Sequence, residues 1–257
     1  MKTPDSLPSD LKGFHIHLVG AKGTGVCALA ELLVSAGAVL TGSDVADTFY
    51  TDEVLAAIGV PVHPFSAGNI HAGVQLVIHS AAYKKDANPD LIRAMQLGIP
   101  TMSYPEALGA FSASRDSSGI SGVHGKTTTT ALAGTLARAL SLPAAVLAGS
   151  AVGSFGGRST LTLGDELFIA ETCEYRRHFL SFKPRRIVLT SVEPDHQDYY
   201  PDYDAISAAF VEYLSSLPRG GLVIYCADDA GAVDVWSRAS RGRPDLRGLP
   251  DRKSTRL

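Results

Sequence analysis

Glycines at 122 and 125, Lys126 and four threonines at 127–130 restrict the fold around them more than any other stretch of this chain. The β-type run Ser117–Ser121 feeds the glycine turn, and the alanine- and leucine-rich pattern Thr128–Leu140 follows at helical spacing. Strand, glycine turn, lysine and helix in that order read as a phosphate loop. Glycines let backbone N–H groups turn toward an anion with no Cβ in the way. The helix start adds unpaired N–H groups and the positive end of its dipole. Gly122, Val123, His124, Gly125, Lys126, Thr127 and Thr128 are therefore the expected nucleotide contacts, with Lys126 on the terminal phosphates and the Thr127 hydroxyl on Mg2+. Ile120 stands where the longer phosphate-loop pattern has its first glycine, so the match is to the shorter G-x-x-G-K-T-T form.

A second glycine turn lies nearer the N-terminus. Phe14–Val19 is a short β-like run, Gly20, Gly23 and Gly25 follow, and Thr24–Ala36 has helical periodicity that Gly37 stops. Val39–Thr41 is a second strand that leads into Gly42-Ser43-Asp44. This is a βαβ unit of Rossmann type. Its spacing is G-x-x-G-x-G, with Lys22 where the dinucleotide fingerprint has its second glycine, so it is off register for NAD. A diphosphate on the helix start at Gly20, Gly23, Thr24 and Gly25 fits better, with Asp44 near a ribose or base. Ser80 and Ala81 follow the strand Gln75–His79, at the end where open α/β sheets hold ligands.

Strand and helix patterns alternate through most of the chain, which predicts an α/β fold with mainly parallel sheets. We expect a Rossmann-like domain over 14–111, a small polar linker over 112–118, and a P-loop ATPase-type α/β domain over 119–236. Residues 237–257 are rich in arginine and poor in apolar residues, so a disordered or non-native tail is expected there. A length of 257 residues accommodates two domains with cores. A net charge of −3 with 45% hydrophobic residues gives no basic excess for nucleic acid. No apolar run is long enough for membrane insertion, and the first thirteen residues form no signal peptide. Cys27, Cys173 and Cys226 are odd in number and widely spaced. They predict reduced thiols in a cytoplasmic protein, with Cys173 and Cys226 as packing residues. Oligomeric state is not legible.

Two further groups fall at strand ends beside the phosphate loop. Glu171 closes Leu167-Phe168-Ile169-Ala170-Glu171, and His196 lies in Glu193-Pro194-Asp195-His196 past the strand Arg186–Val192. Mg2+ takes few ligands from protein and shares phosphate oxygens for the rest. Thr127, Glu171 and His196 are the expected metal set, and Lys126, Glu171 and His196 the expected catalytic groups.

Gly122-Val123-His124-Gly125-Lys126-Thr127-Thr128, Glu171-Thr172-Cys173-Glu174-Tyr175-Arg176-Arg177-His178-Phe179-Leu180, and Glu193-Pro194-Asp195-His196 together resemble the Mur ligases. The resemblance runs over residues 14–230. It implies an ATP-dependent amide ligation in peptidoglycan precursor synthesis, with Mg2+, UDP-N-acetylmuramate and L-alanine as reactants and the UDP diphosphate on the Gly23–Gly25 turn. It further implies an acyl phosphate intermediate, Lys126 on the transferred phosphoryl, one ion on Thr127 and Glu171, and a second on Glu171 and His196. Ser191 departs from the asparagine of the family string T-N-x-x-x-D-H. Residues 196–215 contain no lysine, so the carbamylated lysine of some sister ligases has no counterpart. Family members continue into a third domain, and the resemblance here stops near Asp229, which predicts a truncated chain without complete ligase activity. Three other readings remain open from sequence alone: a recycling ligase that joins a tripeptide to the same UDP-sugar, a nucleotide-binding module without turnover, and an NAD-linked oxidoreductase.

Overall fold

A computed structural model of the chain describes residues 7, 8 and 10–252. They form two compact units that divide between Ser114 and Arg115.

The first unit runs β1 (His15–Val19), α1 (Thr24–Ser35), β2 (Val39–Asp44), α2 (Tyr50–Ala57), β3 (Val62–Pro64), β4 (Leu76–His79), α3 (Pro89–Gln96), β5 (Thr101–Ser103) and α4 (Tyr104–Ala113). Its five strands are parallel in the order β3-β2-β1-β4-β5. A parallel sheet is covered on both faces, so its strands read as continuous apolar runs. Accordingly Leu76, Val77 and Ile78 are all buried. Helix α1 buries eight consecutive residues, Val26–Leu33, and each full-size side chain such as Leu29 or Leu33 contributes roughly 1.5–3 kcal/mol. Two helix starts are fixed by local chemistry. The Asn88 side chain accepts from Asp90 N and Leu91 N ahead of Pro89. Ser103 and Glu106 form a reciprocal capping box at α4.

The second unit runs β6 (Asp116–Ser121), α5 (Lys126–Ala139), β7 (Ala144–Val152), β8 (Arg158–Thr162), β9 (Leu167–Glu171), β10 (Arg186–Leu189), α6 (Tyr203–Ser215), β11 (Leu222–Cys226), α7 (Ala230–Gly242) and β12 (Arg247–Asp251). The seven strands are ordered β12-β11-β10-β6-β9-β7-β8. Only β8, at one edge, runs antiparallel to its neighbour. Strand β6 is central, paired to β10 on one side and β9 on the other. Aromatic packing closes the core against α6: Phe179 stacks on Tyr213 at 4.5 Å and meets Phe210 edge-on at 5.3 Å.

The expected boundary needs correction. The stretch 112–118 is not a linker. Ser112 and Ala113 belong to α4 and Asp116–Ser118 to β6. Ser112 and Ser114 turn their hydroxyls back onto the carbonyls of Gly109 and Phe111, so these serines finish a helix. Thr101–Ser103 forms a fifth strand directly ahead of α4. The glycine-rich stretch from 149 continues β7 through Val152.

The tail is also structured as far as it is described. Residues 237–242 complete α7, and 247–251 add β12 in parallel to β11. Two of its arginines have partners: Arg238 donates to Ser207 Oγ at 2.8 Å, and Arg243 grips Asp245 with two bonds of 2.8 Å. An edge strand needs no apolar alternation and tolerates Pro250, so composition hides it. Residues 253–257 lie outside the described residues.

A chain ending at Gly242 loses β12 and uncovers β11 and Trp236, which stacks on Tyr225. The expected result is a melting temperature lower by roughly 2–4 °C per kcal/mol of lost packing, with red-shifted emission from Trp236, the single tryptophan. An unchanged melt and spectrum would mean that 243–252 contributes nothing to the unit.

Candidate nucleotide sites

In the first unit, β1 sits where the connections diverge, toward β2 on one side and β4 on the other. Ligands bind at such a switch point, beyond the carboxyl ends of the strands. The turn after β1 is held tightly. Gly20 has φ +79°, and a Cβ on it would stand 2.6 Å from Tyr83 Cε2 and 3.0 Å from Ser80 Cβ. The Gly20–Gly25 turn and the Ser80 segment are thus brought together from distant parts of the sequence. Helix α1 starts at Gly23 with no side-chain cap, so its first-turn N–H groups are left for an anion. Ser80 is half-buried and Ala81 exposed. The Thr24 hydroxyl accepts from Tyr50 Oη at 3.1 Å. Asp44 is engaged inward: its carboxylate accepts from Lys22 N at 2.7 Å, Val45 N at 2.7 Å and Tyr83 Oη at 3.1 Å. It braces the glycine turn at its far side. Burial and Asp44 together raise the Tyr83 phenol above its ordinary pKa.

In the second unit the loop 122–125 joins β6 to α5 and is clasped by the residues after β10. Val123 N donates to Ser191 O at 2.9 Å and His124 N to Ser191 Oγ at 2.9 Å. Thr190 Oγ1 donates to His124 O at 2.6 Å. Gly122 adopts φ +138°, and a Cβ there would fall on Thr190 Oγ1 and within 2.8 Å of Ser191 N. Gly125, at φ +79°, begins α5 without a side-chain cap, which leaves the helix N-terminus to a ligand. Lys126 and Thr127, both half-buried, and the exposed Thr128 form that first turn.

The Lys126 side chain reaches past the loop to Glu174, 3.2 Å from Oε1 and 3.1 Å from Oε2. Glu174 is 1% exposed. His196 Nε2 lies 3.3 Å from the same Oε1, with Asp195 3.9 Å from the same imidazole nitrogen. Glu174, Asp195 and His196 offer donor atoms within 4.8 Å of one another. His196 is held at φ +50°, and Arg176 and Arg177 at φ +50° and +60°. Such backbone clusters at functional sites, where the surroundings over-determine it. Here the constraints are visible. Tyr200 Oη donates to Glu174 O at 2.6 Å, the N–H groups of Tyr199 and Tyr200 both donate to His196 O at 2.8 Å, and the Tyr175 ring lies 4.8 Å from the His196 ring. Burial pushes the Tyr200 phenol up to about 12, so it stays a donor.

Of the expected site groups, Lys126 and His196 converge on Glu174. Glu171 turns elsewhere: its Oε2 accepts Gly149 N at 2.6 Å, which leaves Oε1 for another partner. Cys173, expected as packing, is exposed, while Cys226 is half-buried. Glu174, Ser191 and Tyr200 are not among the site residues expected from the sequence. The signal for Glu174 was present, since it is a carboxylate three residues beyond a strand end that flanks the loop.

Residues 15–116 match the Mur ligase family, catalytic domain, and residues 120–243 match the Mur ligase middle domain. The chain belongs to the Mur ligase family. It is 54% identical over 95% of its length to a UDP-N-acetylmuramate--L-alanine ligase of Treponema pallidum (strain Nichols), covering 51% of that protein. A ligase of the same name from Borreliella burgdorferi is 40% identical over 88% of this chain and 49% of its own. Among solved structures, the UDP-N-acetylmuramate-alanine ligase of Thermotoga maritima superposes with a TM-score of 0.69 at 26% identity, over 86% of this chain and 51% of that one. The chain thus spans about half the length of the curated relatives it matches. The two family matches take in both glycine turns.

Gly122→Ala in this Mur ligase chain combines a disfavoured φ with contact against Ser191. The expected loss is about 1–3 kcal/mol of unit stability together with loss of nucleotide binding. A thermal melt and an ATP titration of the variant check both, and wild-type behaviour in both would refute the packing account.

Proposed function

We propose that this chain carries the sugar-nucleotide and ATP sites of a ligase that joins L-alanine to UDP-N-acetylmuramate in peptidoglycan precursor synthesis. The names of two of its relatives support the substrates. The observation that carries the chemistry is the uncapped glycine loop whose lysine meets a buried carboxylate that His196 also approaches. In this reading the γ-phosphoryl group of ATP passes to the muramate carboxylate, giving an acyl phosphate and ADP. The amine of L-alanine then attacks the acyl carbon, the C–O bond to phosphate breaks, and phosphate and a proton leave with the new amide formed.

Each part of the chain has a share in this. Lys126 and the first N–H groups of α5 offset charge on the phosphoryl oxygens. The Ser191 and Thr190 contacts keep the loop in the one shape that lets those groups converge. Carboxylate, hydroxyl and imidazole donors suit Mg2+ beside phosphate oxygens. Thr127, Glu171 through Oε1, and His196 would hold it, and the ion would neutralise and orient the phosphates. In the first unit, the Gly20–Gly25 turn would take the UDP diphosphate on the start of α1, with Ser80 and Ala81 alongside. Asp44 would shape that turn. Reduced thiols at Cys27, Cys173 and Cys226 suit work in the cytoplasm. Among the described residues, no helix is long and apolar enough to cross a membrane.

Calorimetric titration with UDP-N-acetylmuramate, with NADH as control, tests the first site. Saturable binding of the sugar nucleotide alone is expected, and binding of NADH in its place would overturn the reading. For the second site, Lys126→Ala should weaken MgATP binding at least tenfold, about 1.4 kcal/mol or more, while UDP-N-acetylmuramate affinity stays unchanged. Loss of both ligands together would instead point to a folding defect.

A further inference from the structure

We propose that Glu174 is a positioning residue that makes nucleotide binding at the phosphate loop depend on a divalent cation. The proposal rests on the nucleotide reading above and adds a coupling that the reading does not contain.

The lysine ammonium has three N–H donors and no acceptor. In this structure Lys126 Nζ meets Gly122 O at 2.6 Å, Val123 O at 3.1 Å and Glu174 Oε1 at 3.2 Å. All three donors are therefore satisfied inside the protein. A phosphate oxygen gains Lys126 only by displacing one of these acceptors. Two are backbone carbonyls of the loop itself, so the replaceable partner is Glu174.

The carboxylate is also the main electrostatic obstacle. At 1% exposure it is shielded from water, so its charge acts on its neighbours at low effective dielectric. It cancels the lysine charge where the phosphates would arrive. Its Oε2 lies 3.1 Å from Nζ yet has no aligned hydrogen bond, so a buried acceptor oxygen keeps lone pairs to which no N–H or O–H donates. His196 Nε2 lies 3.3 Å from the same Oε1 that Lys126 meets, and Glu174, Asp195 and His196 together offer a carboxylate–carboxylate–imidazole set. A divalent cation drawn to that set would take over the Glu174 charge and release Lys126 to the phosphates. Bound cations invert local charge logic in this way. Metal and nucleotide then help each other bind, each raising the affinity of the other by the same factor. Glu174 is held for this task by its own backbone, since Tyr200 Oη donates to its carbonyl.

The test is Glu174→Gln in the full chain, which keeps the shape and an acceptor oxygen but removes the charge. ATP is titrated calorimetrically with Mg2+ and again with EDTA, and thermal melts control for folding. For the wild type we expect binding to weaken at least tenfold on metal removal. In Glu174→Gln the metal-free affinity should rise by about tenfold and the gap close to a few-fold. Glu174→Asp, which retains the charge, should keep a wild-type gap. An unchanged gap in Glu174→Gln, or an equal loss of affinity in both conditions, would overturn the proposal by reducing Glu174 to a structural anchor. A wild-type chain that binds no ATP in either condition would mean that the nucleotide reading itself has failed, and this proposal with it.

Discussion

The close approach of Gly122 to Thr190 and Ser191 sets the shape of the phosphate loop, and the rest of the second unit is arranged to make that approach possible. β6 must deliver the loop and β10 must end level with it, which their parallel register does by pairing Ser121 with Leu189. Ser191 then binds the loop twice, through its carbonyl and its hydroxyl. The result is a rigid backbone cradle. Because the rigidity comes from protein–protein bonds, a ligand need not supply the ordering, and more of its binding energy appears as affinity.

The first unit reaches a similar end by other means. Its helix starts on Thr24, and its lysine, Lys22, lies before the helix rather than in its first turn. A buried aspartate, Asp44, takes three hydrogen bonds at the turn's base, and Tyr83 packs on Gly20 from the next strand connection. Both turns leave a helix start without a side-chain cap. An orphaned N-terminus costs stability that a capped one would not, and anion binding is the use to which folds of this kind put it.

Much of this was legible in the residues. Glycine, lysine and threonine at 122–130 placed a strand, a turn and a helix correctly, because each residue type restricts the backbone locally. The reading went astray where local chemistry and tertiary placement diverge. Ser112–Ser118 has a linker's composition, yet its serines end a helix and begin a central strand, where Ser117 is fully buried and donates to Lys183 O. Arg238 and Arg243 read as solvated because some of what holds them, Ser207 Oγ and the carbonyls of Ser215 and Leu217, lies far away in sequence. Glu174 was passed over because its neighbours Lys126 and His196 come from two other segments, and only the sheet brings them to it. A three-residue strand such as Thr101–Ser103 is too short to show a period of two.

Strand β6 has one further consequence, for the order in which the chain can assemble. Asp116-Ser117-Ser118-Gly119-Ile120-Ser121 has little intrinsic preference for extended structure, and it is held by neighbours made much later: Leu167 opposite Asp116 and Arg186 opposite Ser118. During synthesis the first unit can close while the second waits for β9 and β10. The phosphate loop therefore acquires its form late, and a nascent chain displays Ile120 and Val123 to the solvent until then. Long-range pairing of this kind slows folding and prolongs exposure of sticky surface, so this half of the molecule is the one that most needs shelter while it is made.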